Sequence, residues 1–340
     1  MRFSLALSMG LHSPSPLSHR RIPGSAILAA AFACCLATGA ARGGDAGQQV
    51  WLVSTRSAQR CGDLQASVGQ IRYWRLDPEN ACGWLLSDAA AFHQGDDRNV
   101  PTTIYFHGAR TDCDVAIEHG WGLYACMKQL AAGRPFRLVI WAWPADRTAR
   151  IPRRDMQREA AQTGPDAYFL AWALAETKAA TPLCLIGYSF GAQIAAGAMQ
   201  LLAGGPMAGR CLPTEAIGRW AAGPRPVRAM FVAPAVDADS LMPGHCLGMA
   251  LGQIERVLVT QNCVDRVLRA YRRLHGIGGP EAMGHSGPIS CLAPGSGCER
   301  LDVADVTREV GKQHDWRLYQ AAPSFVQRLG WYAFLAPNAD

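Results

Sequence analysis

A chain of 340 residues with 49% hydrophobic content is long enough to bury one large core and too long for a small stapled domain. Its net charge of +6 is modest for that length, and no basic block is interleaved with aromatics, which excludes a nucleic-acid binder built on an electrostatic stripe. No Cys-x-x-Cys pair or Cys/His cluster has zinc spacing, so neither a structural metal nor a cofactor is expected.

At the start, Arg20 and Arg21 precede an apolar run over 26–37, followed by Thr38-Gly39-Ala40-Ala41 with small residues at the cleavage-determining positions. This has the form of a secretory signal peptide over 1–41 and is too short to span a bilayer. Export to the periplasm or the medium is expected, with a retained anchor or a lipid on Cys34 or Cys35 as the alternatives. A single domain is expected over 42–340.

Apolar runs bounded by turn signals then alternate with helical patterns, which predicts an α/β fold with a mostly parallel central sheet flanked by helices. Strands are expected over 50–54, 71–76, 102–106, 136–143, 183–186, 227–232, 254–260 and 301–306. Helices are expected over 116–130, 165–177, after Ser189, over 266–274 and over 324–335. Between the fourth strand and the second helix lies a segment with Arg147, Arg150, Arg153, Arg154 and Arg158. It reads as a solvated loop face, which leaves an anionic substrate or a membrane surface open as a partner.

Gly187-Tyr188-Ser189-Phe190-Gly191 follows four apolar residues and precedes the Ala-rich stretch 192–198. The bare pattern arises by chance roughly 0.2 times in a chain of this composition. Its strand-turn-helix setting is that of a nucleophile elbow, in which a serine on a strained turn is held above the sheet. Serine needs a base and an orienting carboxylate, in the order Ser, Asp, His for such a sheet. His314, after the eighth strand, is the candidate base, with His285 as rival. Asp265, after the seventh strand, is the candidate acid, with Asp237 and then Asp239 as rivals. The oxyanion donors are expected from the backbone of Phe190 and from the loop at Gly108 and Ala109. His107 reads as a structural side chain bracing that loop, and Trp141 and Trp143 as core.

Tyr105-Phe106-His107-Gly108, Trp141-Ala142-Trp143-Pro144, the elbow, Ala233-Pro234-Ala235-Val236-Asp237 and the segment 262–268 together resemble the alpha/beta-hydrolase superfamily. They are most similar to uncharacterised bacterial members with a Trp-Pro after the fourth strand. The resemblance covers about 101–316 and implies a Ser-His-Asp hydrolase of esterase type, acting on a small-molecule or lipid ester. Cys263 stands where an acid often follows Asn262 in those proteins, and Asp265 is read as its shifted equivalent. A reading from another class is a binding or scaffold domain that keeps the elbow without a competent triad.

Ten cysteines follow residue 41, and an even number in an exported chain suggests disulfides. Cys184 falls in the elbow strand and is expected to be a buried thiol. The expected pairs are Cys291 with Cys298, Cys246 with Cys263, and Cys61 with Cys82.

Overall fold

The computed structural model describes residues 47–60, 62–76, 83–148, 152–274, 276, 278–288 and 298–336. Nine strands form one sheet: β1 (Gln48–Ser54), β2 (Arg72–Leu76), β3 (Trp84–Ser87), β4 (Thr102–Phe106), β5 (Phe136–Ala142), β6 (Leu183–Tyr188), β7 (Val227–Val232), β8 (Arg256–Gln261) and β9 (Leu301–Asp305). Their order across the sheet is β3-β2-β1-β5-β4-β6-β7-β8-β9. The pairs β1–β2 and β2–β3 are antiparallel and all others parallel. This is the expected α/β class.

The parallel strands read as they do because both faces are covered. Every residue of β4, β5 and β6 is buried, so continuous apolar runs replace the alternation of a one-sided sheet. Helices of eight residues or more are α1 (Cys113–Ala131), α2 (Pro152–Ala175), α3 (Phe190–Leu202), α4 (Thr214–Ala221) and α5 (Pro323–Tyr332). In α3, small side chains allow close packing: a Cβ on Gly197 would stand 2.9 Å from the Ala167 Cβ of α2.

Arg137 is the exception inside β5. It is fully buried, gives Nη1 to Asp96 Oδ1 at 2.8 Å and Nη2 to the Phe92 carbonyl at 2.5 Å, and lies over the Phe92 ring. Burial lowers its pKa to about 10, against the raising effect of Asp96, so it remains a cation at neutral pH.

Three elements differ from the expectation. β3 is a four-residue edge strand with Leu85 and Leu86 exposed, too short and too unpatterned to register as a strand. The helix expected from Pro165 begins at Pro152, so Arg153, Arg154 and Arg158 lie on a helix rather than a loop. Both prolines are plausible helix starts by sequence; here Pro165 is carried inside the helix. The Gly/Pro-punctuated stretch 204–226 contains α4.

The expected Cys246–Cys263 pair does not form: both are free thiols, as are Cys113, Cys126, Cys184 and Cys211. Cys263 instead contacts the Thr307 hydroxyl. Cys184 is buried as expected, and burial pushes its thiol pKa up. The other two expected pairs and the signal segment lie outside the described residues. No helix among the described residues is long and apolar enough to cross a membrane.

Asp96 neutralises a fully buried guanidinium, and it also accepts from the Lys178 backbone N–H at 3.2 Å. Removing one partner of such a pair leaves an uncompensated buried charge. Asp96→Ala is therefore expected to destabilise the fold by about 3–5 kcal/mol, read as a lower urea midpoint at unchanged slope.

Candidate active site

The strand order reverses between β4 and β6: the chain goes from β4 outward to β5, then crosses back to β6 on the other side of β4. At such a switch point the loops after the two strands diverge and leave a crevice at their carboxyl ends. The loop from His107 and the turn at Ser189 meet there.

Ser189 has φ 55° and ψ −120°, a left-handed conformation that costs a non-Gly residue on the order of 1–3 kcal/mol. Its backbone is braced on both sides: Ser189 N–H donates to the Val232 carbonyl at 2.9 Å, and its carbonyl accepts from Ala192 at 3.1 Å and Ala235 at 3.3 Å. The flanking glycines are steric necessities. A Cβ on Gly187 would lie 2.5 Å from the Ala192 Cα, and one on Gly191 would overlap the Phe106 carbonyl of β4.

His314 Nε2 is 3.0 Å from Ser189 Oγ, and His314 Nδ1 is 2.8 Å from Asp265 Oδ2. The imidazole lies 5.1 Å from the Tyr188 ring, stacked at 26°. Asp265 is fully buried. Its Oδ1 accepts from the N–H groups of Val267 and Leu268 at 2.8 and 3.0 Å, and its Oδ2 also accepts from the Tyr319 hydroxyl at 2.7 Å. Burial alone would raise the carboxyl's pKa; the hydrogen bond and charge of His314, with the Leu268 N–H and the Tyr319 hydroxyl, outweigh it and hold the group below its ordinary value. Asp265 is thus an anion that fixes the Nδ1–H tautomer, leaving Nε2 to accept from the serine.

The rivals go elsewhere. Asp237 accepts from the Tyr271 hydroxyl at 2.8 Å, and Asp239 Oδ2 is 3.3 Å from His245 Nδ1. His285 sits in the short helix Met283–Ser286 and bonds neither Ser189 nor a carboxylate among the described residues.

On the other side of Ser189, the loop after β4 has its acceptors occupied. Trp143 Nε1 donates to the His107 carbonyl at 2.8 Å, His107 Nδ1 lies 2.9 Å from the Gly108 carbonyl, and the Thr111 hydroxyl donates to the Ala109 carbonyl at 3.1 Å. Arg56 donates to the Thr111 carbonyl at 3.0 Å. The N–H groups of Gly108, Ala109 and Phe190 have no acceptor among the described residues. A Cβ on Gly108 would come within 3.0 Å of both Ser189 Cβ and the Tyr188 ring, so this loop lies directly against the serine. His107 is fully buried; desolvation lowers its pKa to about 3, and the neutral ring is stacked at 12° on Trp143.

Three residues of this site were not singled out by sequence. Tyr319 lies on the short helix Trp316–Ala321, and its phenol is held by Asn262 Nδ2 at 3.1 Å. Glu159, on α2, is fully buried and accepts the Arg110 N–H at 2.9 Å, where the backbone has φ 57°. Neither tyrosine nor glutamate had a local signal, because each acts through a contact with a residue distant in sequence: Tyr319 with Asp265 and Glu159 with Arg110. Asn262 stood in the quoted segment without a role. Among the described residues no group of three or more His, Cys, Asp or Glu could hold a metal ion.

No family model matches the chain, and no curated protein matches it. Among solved structures it is similar to the catalytic core domain of an acetyl xylan esterase from Trichoderma reesei, at 14% identity over 70% of this chain and 98% of that chain, with a TM-score of 0.36. A likeness that distant carries no argument about chemistry, and the α/β class rests on the sheet itself.

Glu159 makes the site pH-sensitive through stability. Burial raises its pKa to about 7, against the lowering effects of the Arg110 N–H and Arg158. A carboxyl whose folded pKa is raised binds more protons folded than unfolded between its ordinary value and 7, so stability falls as pH rises through that window. Glu159→Gln keeps an acceptor for Arg110 and removes the titration. Its urea midpoint should lose the decline of up to about 3 kcal/mol between pH 4.5 and 7.5 that the parent protein shows.

Proposed function

We propose that this chain is a serine hydrolase of esterase type, cleaving an ester by acyl transfer to water. The observation that carries the reading is the continuous hydrogen-bonded series Ser189–His314–Asp265, starting from a strained serine at the N-terminus of α3. Ser189 Oγ attacks the ester carbonyl carbon while His314 Nε2 takes its proton. The oxygen that gains charge is met by the free N–H groups of Phe190 and Ala109, with Gly108 beside them, and by the positive end of the α3 dipole. His314 then protonates the departing alcohol, leaving an acyl-serine. Water, deprotonated by the same imidazole, attacks that acyl group and releases the acid and the serine. Asp265 stays ionised throughout and stabilises the imidazolium.

An ester is favoured over an amide because its leaving group needs less help from the acid. The proposal includes export after loss of residues 1–41, and a small-molecule or lipid ester as substrate; both rest on the sequence. The resemblance to bacterial hydrolases with a Trp-Pro after the strand here numbered β5 fits the same reading, since Trp143 holds the loop that carries the donors.

A fluorophosphonate probe should label the folded protein at Ser189 alone, with labelling lost in Ser189→Ala and sharply reduced in His314→Ala. No labelling, with a known serine esterase labelled in parallel, would leave a scaffold domain as the reading. Asp265→Asn should lower kcat by about 10⁴-fold, since the amide favours the wrong tautomer. Asp237→Asn should change it less than about threefold, because that carboxylate serves Tyr271.

A further inference from the structure

On the outer side of the acid turn lies a second depression, lined by Cys263, Val264, Arg266, Arg269 and Lys312, with a volume of about 160 Å³. On the same measure one water needs roughly 15 Å³, so there is room for a polyatomic ligand. Arg266, Arg269 and Lys312 are exposed, and none has a carboxylate partner among the described residues. No acidic residue lines the depression. Asp265, next to Arg266 in sequence, directs its oxygens to Val267, Leu268, Tyr319 and His314, and Asp305 accepts from Thr307.

Three cationic residues bordering one concavity repel one another, and the repulsion is relieved by an anion placed among them. The positions of the three charges matter further. Arg266 and Arg269 belong to the short helix that begins after Asp265, and Lys312 lies two residues before His314. The two segments already touch, through Arg266 N–H to the Lys312 carbonyl at 3.3 Å and Asn262 Nδ2 to the Gly311 carbonyl at 2.9 Å.

We infer that this depression binds a tetrahedral oxyanion of the phosphate or sulfate class, free or as the end group of a larger molecule, which bridges the acid turn to the base loop. The two guanidinium groups of the helix after Asp265 and the ammonium of the His314 loop can each donate to its oxygens. Occupancy draws Lys312 toward Arg266 and Arg269, and so steadies the 2.8 Å contact between His314 and Asp265. The binding itself is independent of the hydrolase reading; the effect on turnover rests on it.

The test uses the full chain at low, constant ionic strength, since salt screens such a site within about 10 Å at 0.1 M. Inorganic phosphate and phenyl phosphate are titrated by calorimetry into the parent protein, Ser189→Ala, the double variant Arg269→Gln/Lys312→Gln, and Arg72→Gln as a charge-loss control elsewhere on the surface. Saturable binding is expected in the parent, Ser189→Ala and Arg72→Gln, weakened at least about tenfold in the double variant. Tighter binding of phenyl phosphate would assign the oxyanion to a larger molecule, and equal binding to the free ion. Binding equal in the double variant and the parent, or absent from the parent in the presence of a chloride-matched control, overturns the site. In the ester assay phosphate should raise kcat of the parent and leave the double variant unchanged. Binding to the parent with an unaltered kcat overturns the bridging of the two loops, while loss of all activity with binding intact would count against the hydrolase reading alone.

Discussion

The carboxylate of Asp265 is the group on which the site's arrangement depends. A buried anion without partners costs several kcal/mol, and this one has four: two backbone N–H groups of its own turn, the Tyr319 hydroxyl and the His314 imidazole. Each donor comes with a piece of structure attached. The two N–H groups exist because a helix starts at Arg266, with Asp265 as its N-cap. The phenol exists because the helix Trp316–Ala321 packs Tyr319 inward, fully buried, with Asn262 donating to its oxygen. Satisfying one charge therefore fixes the position of two loops and a helix, and the orientation of the imidazole follows from theirs. The same logic explains the Tyr319 hydroxyl, whose pKa is raised by burial and then by the neighbouring Asp265 charge: it stays protonated, as a donor to that carboxylate must.

Strain at Ser189 is held by an unrelated set of contacts. The carbonyl of Val232, at the end of β7, and the N–H of Ala235, in the loop after it, grip the serine's backbone; between them Ala233 has φ 46° and donates to the Thr260 hydroxyl at 2.7 Å. Thr260 is on β8, so three successive parallel strands share in fixing one unfavourable dihedral. A turn of this kind persists only when its surroundings over-determine it, and the bracing lies in the sheet, whose strands are buried on both faces.

Much of this was legible in the residues. The parallel strands announced themselves as short apolar runs, the elbow as glycines that the structure shows to be sterically required at Gly187 and Gly191, and the candidate acid and base as groups at strand ends in a fixed order. What was not legible came from contacts made across the chain. The first half of α2 carries Arg153, Arg154, Asp155, Arg158 and Glu159, which look like a solvated loop until Asp155 and Glu159 are seen to be buried among Arg110 and Arg158. Asp237 and Asp265 were similar on paper, since each follows a parallel strand. Their surroundings differ through Tyr271, six residues beyond Asp265, which gives its hydroxyl to Asp237 in a contact that no local pattern reveals. The pairing expected for Cys246 with Cys263 failed for the same reason: the two lie at the ends of neighbouring connections, yet Cys263 turns to Thr307.

The two sides of Ser189 are supplied by different strands of the sheet. After β8 and β9 come the Asp265 carboxylate and the His314 imidazole, the candidate acid and base. After β4 and β5 come Gly108 and Ala109, the candidate oxyanion donors, and the Trp143 that holds their loop. The two networks meet at the serine and at Tyr188, whose ring lies against His314 on one side and leaves no room for a Cβ at Gly108 on the other. Tyr188 is buried, and burial raises its hydroxyl pKa, with the Tyr105 and Asp265 charges adding to the effect. It acts as a spacer: its ring fixes the separation between the base and the donor loop. The elbow residue before the serine is therefore under a steric constraint from both networks, and a smaller side chain there would loosen His314 and the loop at Gly108 together.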